Sequence, residues 1–200
     1  MLAVNSSYFS NLNESSAYWL GFIQADGNIY QCTRNKSLTL SVEIHASDGY
    51  LLERLKRDIE AEHEVSLNNR GHARLRITSK QMCEDLMKHG VLPRKSFTGT
   101  FPKIENPCLF RHYVRGVFDG DGSITIKNRK GRNPRPRAVI LGSRGFCEWT
   151  LPRIQEFSGI GFGGIGNYTS IFGITFDGYQ QTEKLYKWLY KDSGDLFFDP

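Results

Sequence analysis

Two aspartates, Asp26 and Asp121, have the residue type and the setting of metal-binding carboxylates. Each precedes a glycine and lies near the end of one copy of a pattern that occurs twice, at residues 18–29 and 113–124. Five of the twelve aligned positions are identical, including two glycines and the aspartate. A single Asp-Gly pair is a common turn dipeptide. Two copies at an offset of 95 residues instead predict a duplicated fold in which each half contributes one carboxylate.

Each copy of the pattern predicts a helix with a glycine in its interior, Gly21 or Gly116. An interior glycine costs about 1 kcal/mol relative to alanine, so a gain in packing must offset it. We therefore expect the two helices to lie side by side and parallel at the centre of the molecule. Each helix then ends at an Asp-Gly pair, which predicts a left-handed backbone at Gly27 and Gly122.

The two aspartates are unfavourably placed unless a cation joins them. The C-terminus of a helix carries partial negative charge, and parallel helices would bring Asp26 and Asp121 together. A divalent cation would relieve both repulsions. A few oxygen ligands suit Mg²⁺, and two such ions bridging the attacking and leaving oxygens would form a phosphodiesterase site.

Hydrophobic periodicity predicts an α+β fold, with the order helix, two strands, helix, two strands, helix in each half. For the first half, helices are expected at 15–25, 48–62 and 80–89, and strands at 28–33, 38–45, 65–68 and 72–78. The three prolines and one glycine of residues 91–107 exclude a long helix there. The predicted organisation is a first half at 1–98, a linker at 99–107 and a second half at 108–200.

The predicted strands alternate between apolar and polar residues. Residues 72–78 place Arg74 and Arg76 on one face, and residues 38–45 alternate in the same way. Ile124 and Ile126 are likewise expected to face inwards, with Lys127 and its neighbours facing outwards. A sheet with one basic, hydroxyl-rich face would suit DNA, although a merely solvated face is an equal alternative.

Charge and composition narrow the function classes. The net charge is +5, and residues 122–147 contain seven basic side chains and no acidic one, which suits a polyanion, although a solvated loop is the alternative. The sequence shows neither a membrane span nor a secretion signal, so an intracellular protein is expected. The four cysteines lack a C-x-x-C pair and the histidines lack metal-ligand spacing, which favours packing and structural roles.

Residues 19–27 and 114–122 resemble the nine-residue motif that names the LAGLIDADG homing endonucleases. The whole chain resembles the monomeric, two-motif type, and the second motif matches more strongly than the first. The resemblance implies pseudo-two-fold symmetry, a central interface of the two motif helices, and antiparallel sheets that form a saddle on double-stranded DNA. It also implies that both strands are cut across the minor groove, leaving 3′ overhangs. One departure is Gln24, which stands where the second motif has Asp119.

The resemblance further implies the roles of individual residues. Asp26 and Asp121 would be the catalytic, metal-binding acids, with the backbone carbonyls of Ala25 and Gly120 as additional ligands. Lys95 would be the basic residue near the cleavage centre. Mg²⁺ is the expected cofactor, Mn²⁺ is expected to substitute for it, and Ca²⁺ is expected to bind without supporting cleavage.

The sequence therefore predicts a monomeric, Mg²⁺-dependent DNA endonuclease acting on a long pseudo-palindromic site. Two alternatives stay open: an RNA maturase that assists intron splicing, and a DNA-binding regulator that no longer cleaves. Loss of the metal acids usually accompanies the regulator's role, and both acids are present here. The predicted DNA contacts are Arg34, Lys36, Arg70, His72, Arg74, Arg76, Lys127, Arg129, Lys130, Arg132, Arg135 and Arg137.

Overall fold

A computed structural model of the 200-residue chain describes residues 2–93, 101–127 and 133–191. Within these ranges the chain forms two similar halves, each in the order helix, two strands, helix, two strands, helix. The predicted α+β class and the duplicated order of elements are thus confirmed. Among the described residues, no helix has the length and apolar character needed to cross a membrane.

The first half comprises α1 (Glu14–Asp26), β1 (Gly27–Gln31), β2 (Leu38–His45), α2 (Gly49–Asp58), β3 (Val65–Leu67), β4 (His72–Thr78) and α3 (Lys80–Lys88). The second half comprises α4 (Pro107–Asp121), β5 (Gly122–Lys127), β6 (Arg135–Gly142), α5 (Arg144–Ser158), β7 (Gly164–Tyr168), β8 (Ile171–Asp177) and α6 (Tyr179–Leu189). A short 3-10 turn, Ala46–Asp48, precedes α2.

Side-chain caps explain where several helices begin. Asn13, Ser79, Asn106 and Ser143 each accept a hydrogen bond from a backbone N–H in the first turn of the helix that follows. The second helix is shorter than predicted, since α2 ends at Asp58 rather than near residue 62. The backbone of Glu60 has a positive φ, which is left-handed and cannot continue the helix.

Each half contains one four-stranded antiparallel sheet, with strand order β1-β2-β4-β3 in the first and β5-β6-β8-β7 in the second. The alternation predicted for β2 and β4 is confirmed, because the apolar side chains of β4 are buried while its arginines lie on the opposite face. Helices α2 and α3 pack against β4 and β2 respectively. On the opposite, polar face of β4, Arg76 and Thr78 are exposed.

A buried carboxylate ties the N-terminal segment to α3. Asp85 accepts hydrogen bonds from Ser10 Oγ at 2.6 Å, from Gln81 Nε2 at 2.8 Å and from Lys88 Nζ at 2.7 Å. Burial alone would raise the pKa of Asp85, but these three bonds outweigh it and lower the pKa to about 2. The ionised carboxylate is therefore the form that the fold stabilises.

We expect Asp85→Asn to lower the free energy of unfolding at pH 7 by about 1–3 kcal/mol. The stabilising contribution of Asp85 is fully present above the unfolded-state pKa of about 3.9. It is lost as the pH falls through the folded-state pKa of about 2. Urea unfolding between pH 2 and 7 should show the two proteins converging below about pH 4. Glu84→Gln, on the same helix but in an exposed ion pair, is the control. A stability difference that does not depend on pH would contradict the assignment.

Candidate active site

The centre of the molecule is the contact between α1 and α4, the two helices of the repeated pattern. Both helices are buried on all sides over most of their length, at residues 16–23 and 110–118. A Cβ atom at Gly21 would lie 2.9 Å from Val117 N, and one at Gly116 would lie 2.7 Å from Phe22 N. Phe22 and Val117 are themselves 95 residues apart, so the contact is pseudo-two-fold symmetric. The close approach of the helix backbones that the glycines predicted is confirmed.

The parallel arrangement of the two helices brings their C-terminal ends together. Asp26 is the last residue of α1 and Asp121 is the last residue of α4. A Cβ atom at Gly120 would lie 2.8 Å from Oδ2 of Asp26, so this carboxylate contacts the backbone just before Asp121. Asp26 is half-buried and Asp121 is exposed. Carboxylate and carbonyl oxygens thus lie at one end of the interface, a donor set that suits Mg²⁺.

The prediction of left-handed glycines after the aspartates is wrong. The φ angles of Gly27 and Gly122 are −84° and −91°, which any residue adopts. Glycine is needed here for space instead. A Cβ atom at Gly27 would lie 2.6 Å from Ile23 O, and one at Gly122 would lie 2.7 Å from Phe118 Cγ. The strand leaves the helix so closely that its first residue packs on the preceding helical turn.

Only one of the two residues that meet at the pseudo-symmetry axis has a side chain. Ala25 and Gly120 are equivalent positions in the two helices, and a Cβ atom at Gly120 would overlap that of Ala25. A single methyl group therefore fills the space that two would overfill. This asymmetry lies directly beside the two acids.

We expect Gly120→Ala to lower the free energy of unfolding by about 1–3 kcal/mol and to impair catalysis, because the new methyl group presses on Ala25 and Asp26. The double variant Ala25→Gly with Gly120→Ala moves the methyl group to the other helix and should recover most of the stability. Thermal melting of both single variants and the double variant measures this coupling. If the double variant is no more stable than Gly120→Ala, the proposed steric contact is wrong.

A polar cluster anchors the second motif to the last helix. Asp119 lies two residues before Asp121 and therefore on nearly the opposite side of α4. Its carboxylate accepts a hydrogen bond from the hydroxyl group of Tyr190, and the hydroxyl group of Tyr18 is close enough to lower its pKa. The buried guanidinium of Arg115 lies over the Tyr18 ring, 4.7 Å from its centre. Burial raises the pKa of Asp119, against the opposing effect of the two tyrosines.

Neither Arg115 nor Tyr190 was predicted from the sequence. The signal for Arg115 was a charged residue within the apolar run of α4, since a buried charge requires a compensating partner. No comparable signal existed for Tyr190, which lies 71 residues from Asp119 along the chain. The charged pair of the cluster has no equivalent in the first half, because leucine and glutamine occupy the positions equivalent to Arg115 and Asp119.

The outer face of the first sheet carries many of the predicted DNA contacts. The cross-strand register pairs Arg76 with Ser41, Arg74 with Glu43, and His72 with His45. Arg76 is exposed, whereas Arg74 forms an ion pair with Glu43 at 2.6 Å. The predicted contacts in the loops are also exposed: Arg34 and Lys36 between β1 and β2, and Arg70 between β3 and β4.

The second sheet resembles the first in its charges. Lys127 and Arg135 face each other across β5 and β6, and Arg137 forms an ion pair with Asp177 on β8. Each sheet thus holds one arginine against a carboxylate on the neighbouring central strand. In both sheets the paired arginine is fixed in place and partly neutralised.

The expectation that Ile124 and Ile126 face the core is wrong. These side chains are 49% and 65% exposed, whereas Ile29, the equivalent of Ile124 in the first half, is fully buried. The cross-strand partners of the two isoleucines also differ. Ile29 lies opposite Leu40, but Ile124 lies opposite the smaller Ala138.

Four further residues predicted to act at the site lie outside the described residues: Lys95, Arg129, Lys130 and Arg132.

No protein-family model matches the sequence, and no curated protein matches it. Solved structures match the fold across most of its length. One is the LAGLIDADG meganuclease I-AabMI bound to uncleaved DNA, with a TM-score of 0.66 and 13% identity over 90% of this chain and 84% of that one. Another is the homing endonuclease I-LtrWI bound to target DNA, with a TM-score of 0.62 and 14% identity over 95% of this chain and 85% of that one.

A third match is I-SmaMI bound to an uncleaved DNA target in the presence of calcium ions. Its TM-score is 0.58, with 15% identity over 89% of this chain and 85% of that one. These coverages span both halves and the central pair of helices, in the order that the repeated motif predicted. The chain therefore has the fold of the single-chain, two-motif LAGLIDADG homing endonucleases.

Proposed function

We propose that this protein is a site-specific endonuclease that hydrolyses both strands of double-stranded DNA and leaves 3′ overhangs. The observation that carries the proposal is the position of Asp26 and Asp121. They end two parallel helices that pack too closely to admit a Cβ atom at Gly21 or Gly116. The fold shared with DNA-bound meganucleases supports the same function. Both acids belong to one chain, which supports action as a monomer.

The donor groups at the helix ends fit a hard divalent cation. Asp26 and Asp121 would hold it through their carboxylates, and Ala25 and Gly120 through their carbonyl oxygens. The carboxylate of Asp26 lies against the backbone of Gly120 in the structure, so two of these groups are already close together. When bound, Mg²⁺ would stabilise the charge that develops on the phosphate during hydrolysis. Mn²⁺ should substitute for Mg²⁺, whereas Ca²⁺ should support binding alone.

The two sheets would bind the DNA through their open faces. Hydroxyl, imidazole and arginine side chains, with the one carboxylate of Glu43, alternate with the buried apolar residues of β2 and β4. Contacts to phosphate would supply most of the affinity, and contacts to base edges would supply the specificity. Arg76, which is exposed, is suited to contact a base, whereas Arg74 and Arg137 are held by carboxylates and suited to fixed contacts. Two pseudo-symmetric halves would recognise two half-sites.

Lys95 completes the proposal as the basic residue near the cleavage centre. It lies near the end of the predicted first half in sequence and precedes α4, which carries Asp121. A lysine there would neutralise phosphate charge and order the solvent at the scissile bond. Arg129, Lys130 and Arg132, which follow β5 in the sequence, are proposed as further contacts to DNA.

Selection from random pools tests the binding part of the proposal. The protein would be incubated in Ca²⁺ with a randomised duplex DNA pool and, separately, with a structured RNA pool, and the retained molecules would be sequenced. We expect one duplex motif of about two helical turns to be enriched, with affinity falling steeply as salt rises. Enrichment of RNA without any duplex motif would favour a maturase and overturn the proposal.

A further inference from the structure

A second group of metal-ligating side chains lies at the opposite end of the central helices from the two acids. Glu14 is the first residue of α1, and Cys108 and His112 lie in the first two turns of α4. Glu14 and Asp26 are the first and last of the 13 residues of α1, so the whole length of the helix separates them. The group is therefore independent of the proposed catalytic site.

The three side chains converge on one point. Cys108 Sγ lies 3.3 Å from one carboxylate oxygen of Glu14, and His112 Nε2 lies 3.5 Å from the other. All three ligand atoms lie within 4.8 Å of one another. Tetrahedral zinc with one sulfur, one nitrogen and one oxygen ligand requires ligand separations of about 3.4–3.6 Å. Cys108 and His112 are four residues apart and so share one face of α4.

The ligand chemistry selects the metal. A thiolate and an imidazole prefer Zn²⁺ to Mg²⁺, which takes oxygen ligands. We propose that Glu14, Cys108 and His112 form a zinc site, with water as the fourth ligand, that joins the beginnings of α1 and α4. Because its ligands come from both halves, the bound ion would hold the halves together at the end remote from Asp26 and Asp121.

Zinc would have to displace the guanidinium of Arg111 from two of the proposed ligand atoms. Its Nη2 lies 3.2 Å from His112 Nε2 and 3.8 Å from Cys108 Sγ, while its Nη1 donates to the carbonyl of Lys191. Binding of zinc requires Nη2 to withdraw, and the bond to Lys191 can keep the rest of the guanidinium in place. Without metal, this guanidinium lies against both the imidazole and the thiol.

Titration of the metal-depleted full-length protein with Co²⁺ and Zn²⁺ tests the proposal. An excess of Mg²⁺ keeps the transition metals from oxygen-only sites. We expect Co²⁺ to produce a thiolate charge-transfer band, and one equivalent of Zn²⁺ to abolish it and to raise the melting temperature. Glu14→Gln, at a position that is 61% exposed, should weaken binding by at least about tenfold. Cys108→Ser should abolish the band.

Cys32→Ser is the matched control, because Cys32 is a half-buried thiol that directly follows β1 in the first half. It should bind Co²⁺ and Zn²⁺ like the wild type. Circular dichroism establishes that each variant is folded before the titration. Absence of the band from the wild-type protein would overturn the proposal. Equal binding of Co²⁺ and Zn²⁺ by the wild type and Glu14→Gln would overturn it as well, regardless of the result for Cys108→Ser.

Discussion

Replacement of Asp26 or Asp121 by asparagine is expected to lower the rate of DNA cleavage by at least about a thousandfold. A bound cation stabilises a phosphoryl transition state by several kcal/mol, and the rate depends exponentially on that free energy. Asparagine keeps the shape of the side chain but removes the charge that would hold the cation. Each carboxylate ends a helix at the centre of the fold.

DNA binding should stay within several-fold of the wild-type value in both variants, because in the proposed binding mode the sheets rather than the helix ends would supply most of the contact surface. Gel-shift titration and single-turnover cleavage on the same duplex would separate the two effects. Asp48→Asn, which makes the same chemical change before α2, should cleave normally. An active variant lacking both Asp26 and Asp121 would overturn the proposed mechanism.

Replacement of Gly116 by alanine is expected to lower the free energy of unfolding by at least about 4 kcal/mol. The new Cβ atom would lie 2.7 Å from Phe22 N and 3.0 Å from the carbonyl carbon of Tyr18, and both are backbone atoms that a rotamer change cannot move. Gly21→Ala should behave alike, since its Cβ atom meets the equivalent backbone of α4. The two halves would then have to separate along their whole interface.

Gly161→Ala is the control for these two variants, because its Cβ atom would meet nothing within 4 Å among the described residues. Its stability should change by no more than about 0.5 kcal/mol. Chemical unfolding would be monitored for all three variants by tryptophan fluorescence, to which the buried Trp19 on α1 contributes. Wild-type stability in Gly116→Ala would mean that α1 and α4 do not touch as described.

The repeated motif carried most of the information needed to predict the fold. The glycines at 21 and 116 could be interpreted because a helix interior tolerates glycine only for a packing reason. The bounds of β2 and β4 followed from the alternation of apolar and polar residues in the sequence. The placement of both aspartates at helix ends followed from the Asp-Gly pairs.

Long-range contacts were the part that the sequence could not supply. Nothing local distinguishes the left-handed from the extended backbone at Gly27 and Gly122, since both favour glycine for different reasons. Ile124 is half exposed whereas its equivalent Ile29 is buried, a difference that periodicity within β5 does not report. The contact of Asp119 with Tyr190 likewise arises only when α6 folds back on α4.

The cysteines illustrate the same limit. Cys83 and Cys147 are buried, as expected for packing residues, whereas Cys32 and Cys108 are only half-buried. Cys108 and His112 place a thiol and an imidazole on one helix face, a spacing that belongs to neither the C-x-x-C nor the paired-histidine patterns. Their third neighbour, Glu14, is 94 residues away from Cys108 along the chain.

Cleavage of the selected duplex would establish whether the ends of α1 and α4 form a metal-dependent hydrolytic site. The duplex that the protein retains in Ca²⁺ would be incubated with the protein in Mg²⁺, and the ends of any products would be sequenced on both strands. We expect one defined break in each strand near the centre of the motif, offset to leave a 3′ overhang, and none in Ca²⁺. An intact duplex in Mg²⁺, bound as tightly as before, would contradict the proposed chemistry and indicate a regulator that binds DNA without cutting it.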